Sequence, residues 1–266
     1  MTSNPRPATI RYAFAAPAEV RTAVAALGGY AAVLGAEAGR AAGLRVEEDA
    51  EALLASRALL RLLAAHVHTG SAASAALVKI TRRCSDCGAT DHGKPEADGA
   101  AVSLSRTRTL VMAAVGPAGT VLGIDVERTA GPERTGLFDG FDALVLSPAE
   151  RGLLAAATAP DLLRMAAWTA KEAVLKATGD GLRVEPHRLT VLDPALAEHS
   201  ALAGPAGALQ LPDGTFPVSA PTLPAAGAVR VRWVDAGSAH LAAIASAPAL
   251  PVLEVALAEL ALPGAG

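Results

Sequence analysis

The chain has 266 residues, of which 18 % are charged and 52 % hydrophobic, and its formal net charge at pH 7 is −3. A slightly negative net charge provides no general basic surface for binding nucleic acid. The hydrophobic content is too high for a disordered chain. The sequence shows neither a signal-peptide pattern nor an unbroken apolar run long enough to span a membrane, so we expect a soluble, cytoplasmic protein with no membrane contact. Two cysteines are too few for a disulfide framework.

In the first half of the chain, apolar periodicity predicts a strand, two helices and then further strands. The clearest helix is the one at 47–67, because acidic residues fill its first turn and leucines recur on one stripe. The predicted elements are a strand at 8–16, a helix at 17–27, a helix at 47–67, a strand at 76–82, a loop at 84–100 and strands at 101–105, 109–115 and 119–127.

The second half begins with a loop-rich stretch at 128–147 and repeats the order of helices followed by strands. Ser147 before a proline, with Glu150 three residues later, is typical of a helix start. The remaining predicted elements are a helix at 161–177, a Pro/Gly-rich connection at 203–226 and strands at 182–192, 227–235 and 239–246. Each half therefore reads as helices with antiparallel strands, and the predicted fold class is α+β.

An acidic motif, Gly-Ile-Asp-Val-Glu at 123–127, lies on one of these strands. Alternate residues of a strand face the same side, so Asp125 and Glu127 are predicted to lie together while the apolar residues between them face the core. Two neighbouring carboxylates repel one another unless a cation lies between them, and hard oxygen ligands suit magnesium. The alternative is a strand end with a solvated acidic face.

The predicted helix at 161–177 carries two of the chain's four lysines, Lys171 and Lys176, beside Glu172. A glutamate followed by a lysine four residues later is commonly an ordinary surface pair. The chain uses arginine for 19 of its 23 basic residues, however, so a lysine indicates a position where a compact ammonium is needed.

The loop at 84–100 contains Cys84, Cys87, His92 and Lys94. One Cys-X-X-Cys pair with a nearby histidine is half of a zinc site, and we interpret the cysteines as structural thiols. Glycine and proline on either side of Lys94 favour a turn from which this lysine projects. A hydroxyl-rich turn follows around Arg106 and is suited either to holding a phosphate or to a plain strand connection.

Taken in this order, the segments resemble the 4'-phosphopantetheinyl transferases, and within them the broad-specificity Sfp-like branch built from two fused, similar halves. The shared motifs are (Cys-X-X-Cys-Gly)…His-Gly-Lys-Pro, Ser-X-Ser-X-Thr, Gly-Ile-Asp-Val-Glu and Trp-X-X-Lys-Glu-X-X-X-Lys followed by Gly-X-Gly-Leu. They cover about residues 84–182, with looser similarity in the helix that contains Arg57 and Arg61. The resemblance implies a pseudo-twofold fold of two α+β halves, at 1–127 and 128–266.

The resemblance also implies an activity, which is transfer of phosphopantetheine from coenzyme A to a serine of an acyl or peptidyl carrier protein, with release of adenosine 3',5'-bisphosphate. Magnesium, or Mn²⁺ in its place, would be held by Asp125, Glu127 and Glu172. The coenzyme A phosphates would be bound by Arg57, Lys94, Ser105, Arg106 and Lys171. Glu172 would also accept the proton of the carrier serine, and Lys176 would stabilise charge on the pyrophosphate as its bond breaks.

The chain departs from the family pattern at Arg106, where the family usually has a histidine that contacts the 3'-phosphate. An arginine can bind phosphate bidentately and stays charged, so we expect binding to survive with altered geometry. The alternatives to a monomeric transferase are a non-catalytic protein that binds coenzyme A or carrier domains and a zinc-binding interaction module. The expected carrier-binding residues follow the acidic strand and are Arg128, Arg134, Leu137, Phe138 and Phe141, the two phenylalanines being equally explicable as core.

Overall fold

Two sheets lie back to back, and each carries helices on its outer face. The computed structural model describes residues 8–84, 86–90, 92–129, 137–155, 157, 159–192 and 214–261. The strands are β1 Ile10–Ala15, β2 Ile80–Arg83, β3 Lys94–Ala97, β4 Ala100–Arg106, β5 Val111–Pro117, β6 Val121–Arg128, β7 Phe216–Pro217, β8 Arg230–Val234, β9 His240–Ala247 and β10 Val252–Glu254. The α-helices of the described residues are α1 Pro17–Ala25, α2 Gly29–Leu34, α3 Glu47–Thr69, α4 Phe141–Val145, α5 Pro148–Leu154, α6 Pro160–Thr178, α7 Pro224–Gly227 and α8 Leu257–Ala261.

The first sheet has the strand order β10-β1-β5-β4-β3-β2 and the second has the order β6-β9-β8-β7. All described pairings are antiparallel except that between β1 and β10, which is parallel. The second sheet therefore begins at its edge with the acidic strand β6, and the chain returns to the first sheet at β10. Among the described residues, no helix is long and apolar enough to cross a membrane.

Three apolar clusters hold these layers together. Helices α1 to α3 pack on the outer face of the first sheet through buried leucines of α3 such as Leu59 and Leu63. Helix α6 covers the outer face of the second sheet through residues such as Val174. Between the sheets, Ile124 of β6 packs with Met112 of β5, both fully buried. The apolar face predicted for β6 is therefore confirmed, and it turns the acidic face of the strand toward α6.

Most of the predicted elements are confirmed, as is the α+β class. The capping box at the start of α5 is present: the Ser147 amide donates to the Glu150 carboxylate at 2.9 Å, and the Glu150 amide donates to the Ser147 hydroxyl at 3.3 Å. Helix α6 begins at Pro160, one residue before the predicted start, and Ala159 is its N-cap.

Two predictions of local structure are wrong, and a third is shifted along the chain. The stretch at 182–192 forms 3₁₀ turns at Gly181–Arg183 and Pro186–Arg188 followed by one isolated bridge, because its proline interrupts the ladder. The loop at 84–100 contains β3, which its partner β2 holds in place despite a proline. The strand predicted at 76–82 begins later: the 3₁₀ turn Ala72–Leu77 takes its first two residues, and pairing starts at Ile80 in β2. Helix α2 and strand β10 are too short to be predicted from periodicity.

The sheet pairings cross the predicted boundary at residue 127 in both directions. Strand β6 pairs in the second sheet although most of it precedes the boundary, and β10 pairs in the first sheet although it follows the boundary. The division into halves at 1–127 and 128–266, and their pseudo-twofold relation, remain predictions.

Candidate active site

Strand β6 and helix α6 approach one another closely over Gly123. A Cβ atom at this position would lie 2.1 Å from the Ala173 carbonyl oxygen and 2.3 Å from the Ala177 nitrogen. Four residues of a helix rise about 6 Å and two residues of a strand about 6.7 Å, so every fourth residue of α6 meets an alternate residue of β6. The spacing of the two sequence motifs therefore produces a set of facing side chains.

Asp125 is the centre of this set. Its Oδ1 atom accepts a hydrogen bond from the Lys176 ammonium at 2.5 Å and from the Ser105 hydroxyl at 2.7 Å. The ammonium also donates to the Ser105 hydroxyl at 3.0 Å. Three residues from β4, β6 and α6 are thereby joined, and the Asp125 side chain is only 4 % exposed while that of Lys176 is 33 % exposed. Lys176 therefore pairs with Asp125 and not with Glu172, the partner expected if the two helix residues formed an ordinary surface pair.

Two carboxylate oxygens at this place lack a hydrogen-bond donor. Oδ2 of Asp125 and Oε1 of Glu172 are both buried without a hydrogen-bond partner. Burial raises the pKa of Glu172, the charge of Asp125 raises it further, and the charge of Lys176 opposes both effects. Buried acceptors without donors are costly, so the arrangement favours a cation bound between these carboxylates.

Glu127, the third predicted ligand, is held by the indole of Trp168, whose Nε1 donates to Oε1 of Glu127 at 2.8 Å. The three carboxylates are adjacent along the β6–α6 interface but are not drawn tightly together. In the part of the chain that the structure describes, Cys84, Cys87 and His92 form a group with one ligand atom each within 4.8 Å of one another, and Asp125, Glu127 and Glu172 do not.

A cavity of about 810 Å³ opens beside these side chains. Lys176 and Glu127 reach it from the β6–α6 interface, and Ser105 and Arg106 reach it from the end of β4. Among the described residues, the lining consists of Asp49, Ala52, Leu104, Ser105, Arg106, Thr107, Arg108, Glu127, Arg128 and Lys176. Four of these residues carry positive charge and two carry negative charge. Arg108 is paired with Asp49 at 2.7 Å and Lys176 with Asp125 at 2.5 Å, which leaves Arg106 and Arg128 against Glu127. The remaining positive charge suits an anionic ligand.

Arg57 belongs to a buried arginine cluster, which we define as Arg57, Arg61 and Arg82 around Glu37. The three guanidinium groups lie 3.8, 3.3 and 3.4 Å from the one carboxylate. Burial lowers the pKa of Arg57, and the charges of neighbouring arginines, Arg106 among them, lower it further. One carboxylate does not balance three guanidinium groups, and Nη1 of Arg57 has no hydrogen-bond partner. The sequence singled out Arg57 alone for this role, because Arg82 lies on a different element and nothing local marks it.

Lys94 is placed at the C-terminal end of α6. Its ammonium donates to the Ala177 carbonyl, one residue beyond Lys176. Unpaired carbonyls and the negative end of the helix dipole favour a cation there. Burial lowers the pKa of Lys94, and Glu96 opposes this effect. Lys94 is not among the residues that line the cavity.

Lys171 is not brought to the site, and the expectation that it binds coenzyme A is corrected by its burial. Its side chain is 0 % exposed, and the ammonium donates to the Glu150 carboxylate at 2.5 Å and to the Val145 carbonyl at 2.6 Å. Glu150 also accepts hydrogen bonds from the Val191 and Leu192 amides. The Lys171–Glu150 ion pair therefore connects α6 to α5 and to the segment at 191–192 that follows α6. The rarity of lysine indicated a position that needs a compact ammonium. At Lys171 this need comes from a buried ion pair and not from a bound phosphate.

The predicted carrier-binding residues divide between core and surface. Phe141 is buried and packs edge-on against Trp168, with ring centroids 6.4 Å apart. Phe138 is 53 % exposed beside Leu137, in a hollow of about 310 Å³ whose charged residues are Asp139, Asp142, Asp161 and Arg164. Arg128 lines the larger cavity instead. Arg134 lies outside the described residues.

Residues 121–217 match the family model of the 4'-phosphopantetheinyl transferase superfamily. The matched segment contains β6 and α6 and therefore Asp125, Glu127, Glu172 and Lys176. The cavity-lining residues of β4 and the arginine cluster precede it. No curated protein matches the chain.

Proposed function

We propose that the protein is a 4'-phosphopantetheinyl transferase of the Sfp-like, broad-specificity type, acting on the serine of acyl or peptidyl carrier proteins. The observation that carries the proposal is the β6–α6 interface, which holds two buried carboxylates with unpartnered oxygens and the Lys176 ammonium that bonds one of them. Lys176 and Glu127 of this interface line a cavity of about 810 Å³. The superfamily match over 121–217 covers this interface.

Coenzyme A is the proposed substrate, and its phosphates are assigned to the positive side of the cavity. Ser105 and Arg106 line the cavity, and the arginine cluster lies close enough to Arg106 for its charge to lower the pKa of Arg57. Lys94 approaches from the other side, at the end of α6. Lys171 is buried against Glu150 and does not reach these phosphates, whereas Arg61 and Arg82 share Glu37 with Arg57 and are assigned to them.

Magnesium, with Mn²⁺ as a substitute, fits the donor set because Oδ2 of Asp125 and Oε1 of Glu172 are acceptors in need of a cation. Asp125 and Glu172 would hold the ion, and Glu127 is fixed nearby by Trp168. When bound, the ion supplies positive charge against the coenzyme A pyrophosphate.

The chain's own groups account for proton transfer and charge. The carrier serine oxygen attacks the phosphorus that bears the pantetheine arm, and the bond from that phosphorus to adenosine 3',5'-bisphosphate breaks. Glu172 accepts the serine proton, directly or through a water, and its raised pKa makes it a stronger base than an exposed carboxylate. Lys176 donates hydrogen bonds to the phosphate oxygens of the departing adenosine 3',5'-bisphosphate from a position fixed by Asp125. One chain contributes every group, so we propose that the enzyme acts as a monomer.

The decisive experiment is mass spectrometry of several apo carrier proteins, of fatty-acid, polyketide and nonribosomal-peptide type, after incubation with the protein, coenzyme A and magnesium. A mass gain of one phosphopantetheine arm supports the proposal, and the Asp125→Ala and Glu172→Ala variants, checked for an intact fold, are expected to give none. Binding of coenzyme A with no gain on any carrier would favour a non-catalytic binding protein instead.

A further inference from the structure

The loop between β2 and β3 brings three metal-type ligands together on the surface. Cys84, Cys87 and His92 each present a ligand atom within 4.8 Å of the other two. The Sγ atom of Cys87 lies 3.3 Å from Nε2 of His92, and both cysteines are free thiols. Cys87 is exposed and Cys84 partly so. Purely structural thiols are usually buried in apolar surroundings, so this placement does not support the interpretation made from the sequence.

The backbone of the loop is folded around the Cys84 sulfur. The Gly88 amide donates to the Cys84 carbonyl at 3.0 Å, and the Cys84 amide donates to the Ala89 carbonyl at 2.8 Å. Gly88 takes a left-handed φ of +72°, which closes the turn directly after the second cysteine. The backbone amides of Cys87 and Asp86 hydrogen-bond the Cys84 sulfur. Amides pointing at sulfur stabilise the thiolate, which is the form that binds metal.

We propose that Cys84, Cys87 and His92 bind one Zn²⁺ ion, with the fourth coordination position open to water. Two thiolates and an imidazole are ligands that zinc prefers in tetrahedral sites. With Zn–S of about 2.3 Å and Zn–N of about 2.0 Å, ligand atoms of such a site lie about 3.5–3.8 Å apart. Small side-chain movements therefore convert the observed group into a coordination site, and binding releases the thiol protons to solvent.

The ion would fix the hairpin from which two of the site's cations project. The backbones of Arg83 in β2 and Lys94 in β3 lie opposite one another at the base of this loop. Arg82, also in β2, belongs to the arginine cluster. A Cβ at Gly93, whose φ is +100°, would lie 2.5 Å from the Arg83 carbonyl oxygen, so the two strands close tightly there. Zinc at the tip of the loop would hold Arg82 and Lys94 in place. This positioning role rests on the proposed function, whereas the zinc site itself does not.

The first experiment measures zinc per chain by elemental analysis. Protein stripped with a chelator under reducing conditions is given excess zinc and then dialysed against metal-free buffer. We expect one zinc per chain for the wild type and for His68→Ala, an exposed histidine at the end of α3 that serves as the control. We expect loss of zinc in Cys87→Ser and in the Cys84→Ser/Cys87→Ser double variant. Cobalt substitution adds a spectroscopic signature, since thiolate-to-metal charge-transfer absorption must vanish in the same variants.

Two results would overturn the proposal. One is a reduced, folded wild-type protein that retains no zinc, and the other is one zinc per chain retained by the double cysteine variant. Circular dichroism of each variant separates loss of zinc from loss of fold. Coenzyme A affinity, measured by calorimetry with and without zinc, tests the positioning role: a several-fold weakening without zinc supports it, and unchanged affinity refutes it. The measured zinc content tests the zinc site even if the protein modifies no carrier protein, because it does not depend on transfer activity.

Discussion

The Lys176 ammonium lies 2.5 Å from Oδ1 of Asp125 and thereby joins the last turns of α6 to the middle of β6. Its second bond, to the Ser105 hydroxyl at 3.0 Å, reaches the other sheet. A compact ammonium fits between these two acceptors, whereas a planar guanidinium is wider and carries its donors in a fixed fork. The contact explains why this arginine-rich chain has a lysine here.

The first prediction is that Lys176→Arg loses most of the transfer activity, by at least about 100-fold, because the donor can no longer face the pyrophosphate from the same place. Lys79→Arg is the matched control, since Lys79 is exposed outside the site, and it should keep nearly full activity. Initial rates on an apo carrier protein measure both. Equal activity of the two variants would contradict the role given to Lys176.

The second prediction concerns the indole of Trp168, which donates to Glu127 at 2.8 Å. Trp168→Phe removes this bond, so Glu127 is no longer oriented and the magnesium concentration for half-maximal activity should rise about 10-fold or more. Trp233→Phe is the control, because Trp233 is also buried to a large extent but its Nε1 has no hydrogen-bond partner to lose. Activity against magnesium concentration measures the effect, and an equal shift in both variants would show that lost packing is responsible.

The third prediction is a pH-dependent stability difference between Glu172→Gln and the wild type. Burial raises the pKa of Glu172, so the folded state binds its proton more tightly than the unfolded state does. The wild type therefore loses stability as pH rises from the unfolded-state pKa of about 4.3 to the raised folded value, and the loss persists above it. The glutamine variant has no such loss.

Urea unfolding at a series of pH values in the presence of a chelator tests this directly. Relative to the wild type, Glu172→Gln should gain free energy of unfolding as the pH is raised toward neutrality, while the two differ little with pH below about 4. Added magnesium should reduce the gain, because a cation favours the carboxylate of the wild type. A difference that stays constant from acid to neutral pH would rule out a raised pKa at Glu172.

The sequence predicts which side chains share one face of a single strand or helix, because their spacing along the chain determines this. Asp125 and Glu127 on one strand face, and Trp168, Glu172 and Lys176 on one helix stripe, follow from the periods of the two structures. The sequence does not show which helices and strands pack against one another. Lys171 and Lys176 look alike along the chain, yet one is buried against Glu150 and the other faces Asp125, because helix faces are assigned by packing. Arg82 and the Cys84–His92 group likewise depend on a hairpin whose second strand contains a proline that periodicity reads as a loop.

The last prediction tests the close approach of β6 and α6. Gly123→Ala would place a methyl group 2.1 Å from the Ala173 carbonyl oxygen and 2.3 Å from the Ala177 nitrogen, and both are backbone atoms that cannot turn aside. Helix α6 must then move outward, which separates Lys176 from Asp125, so we expect at least about 100-fold lower activity together with a loss of about 1–3 kcal/mol of stability. Gly152→Ala is the matched control, since nothing lies within 4 Å of the added Cβ and the position is inside α5. It should raise stability by about 0.5–1 kcal/mol and leave transfer unchanged. Rates and urea unfolding on both variants decide the matter, and full activity in Gly123→Ala would mean that the carboxylates and Lys176 do not need this interface to be so close.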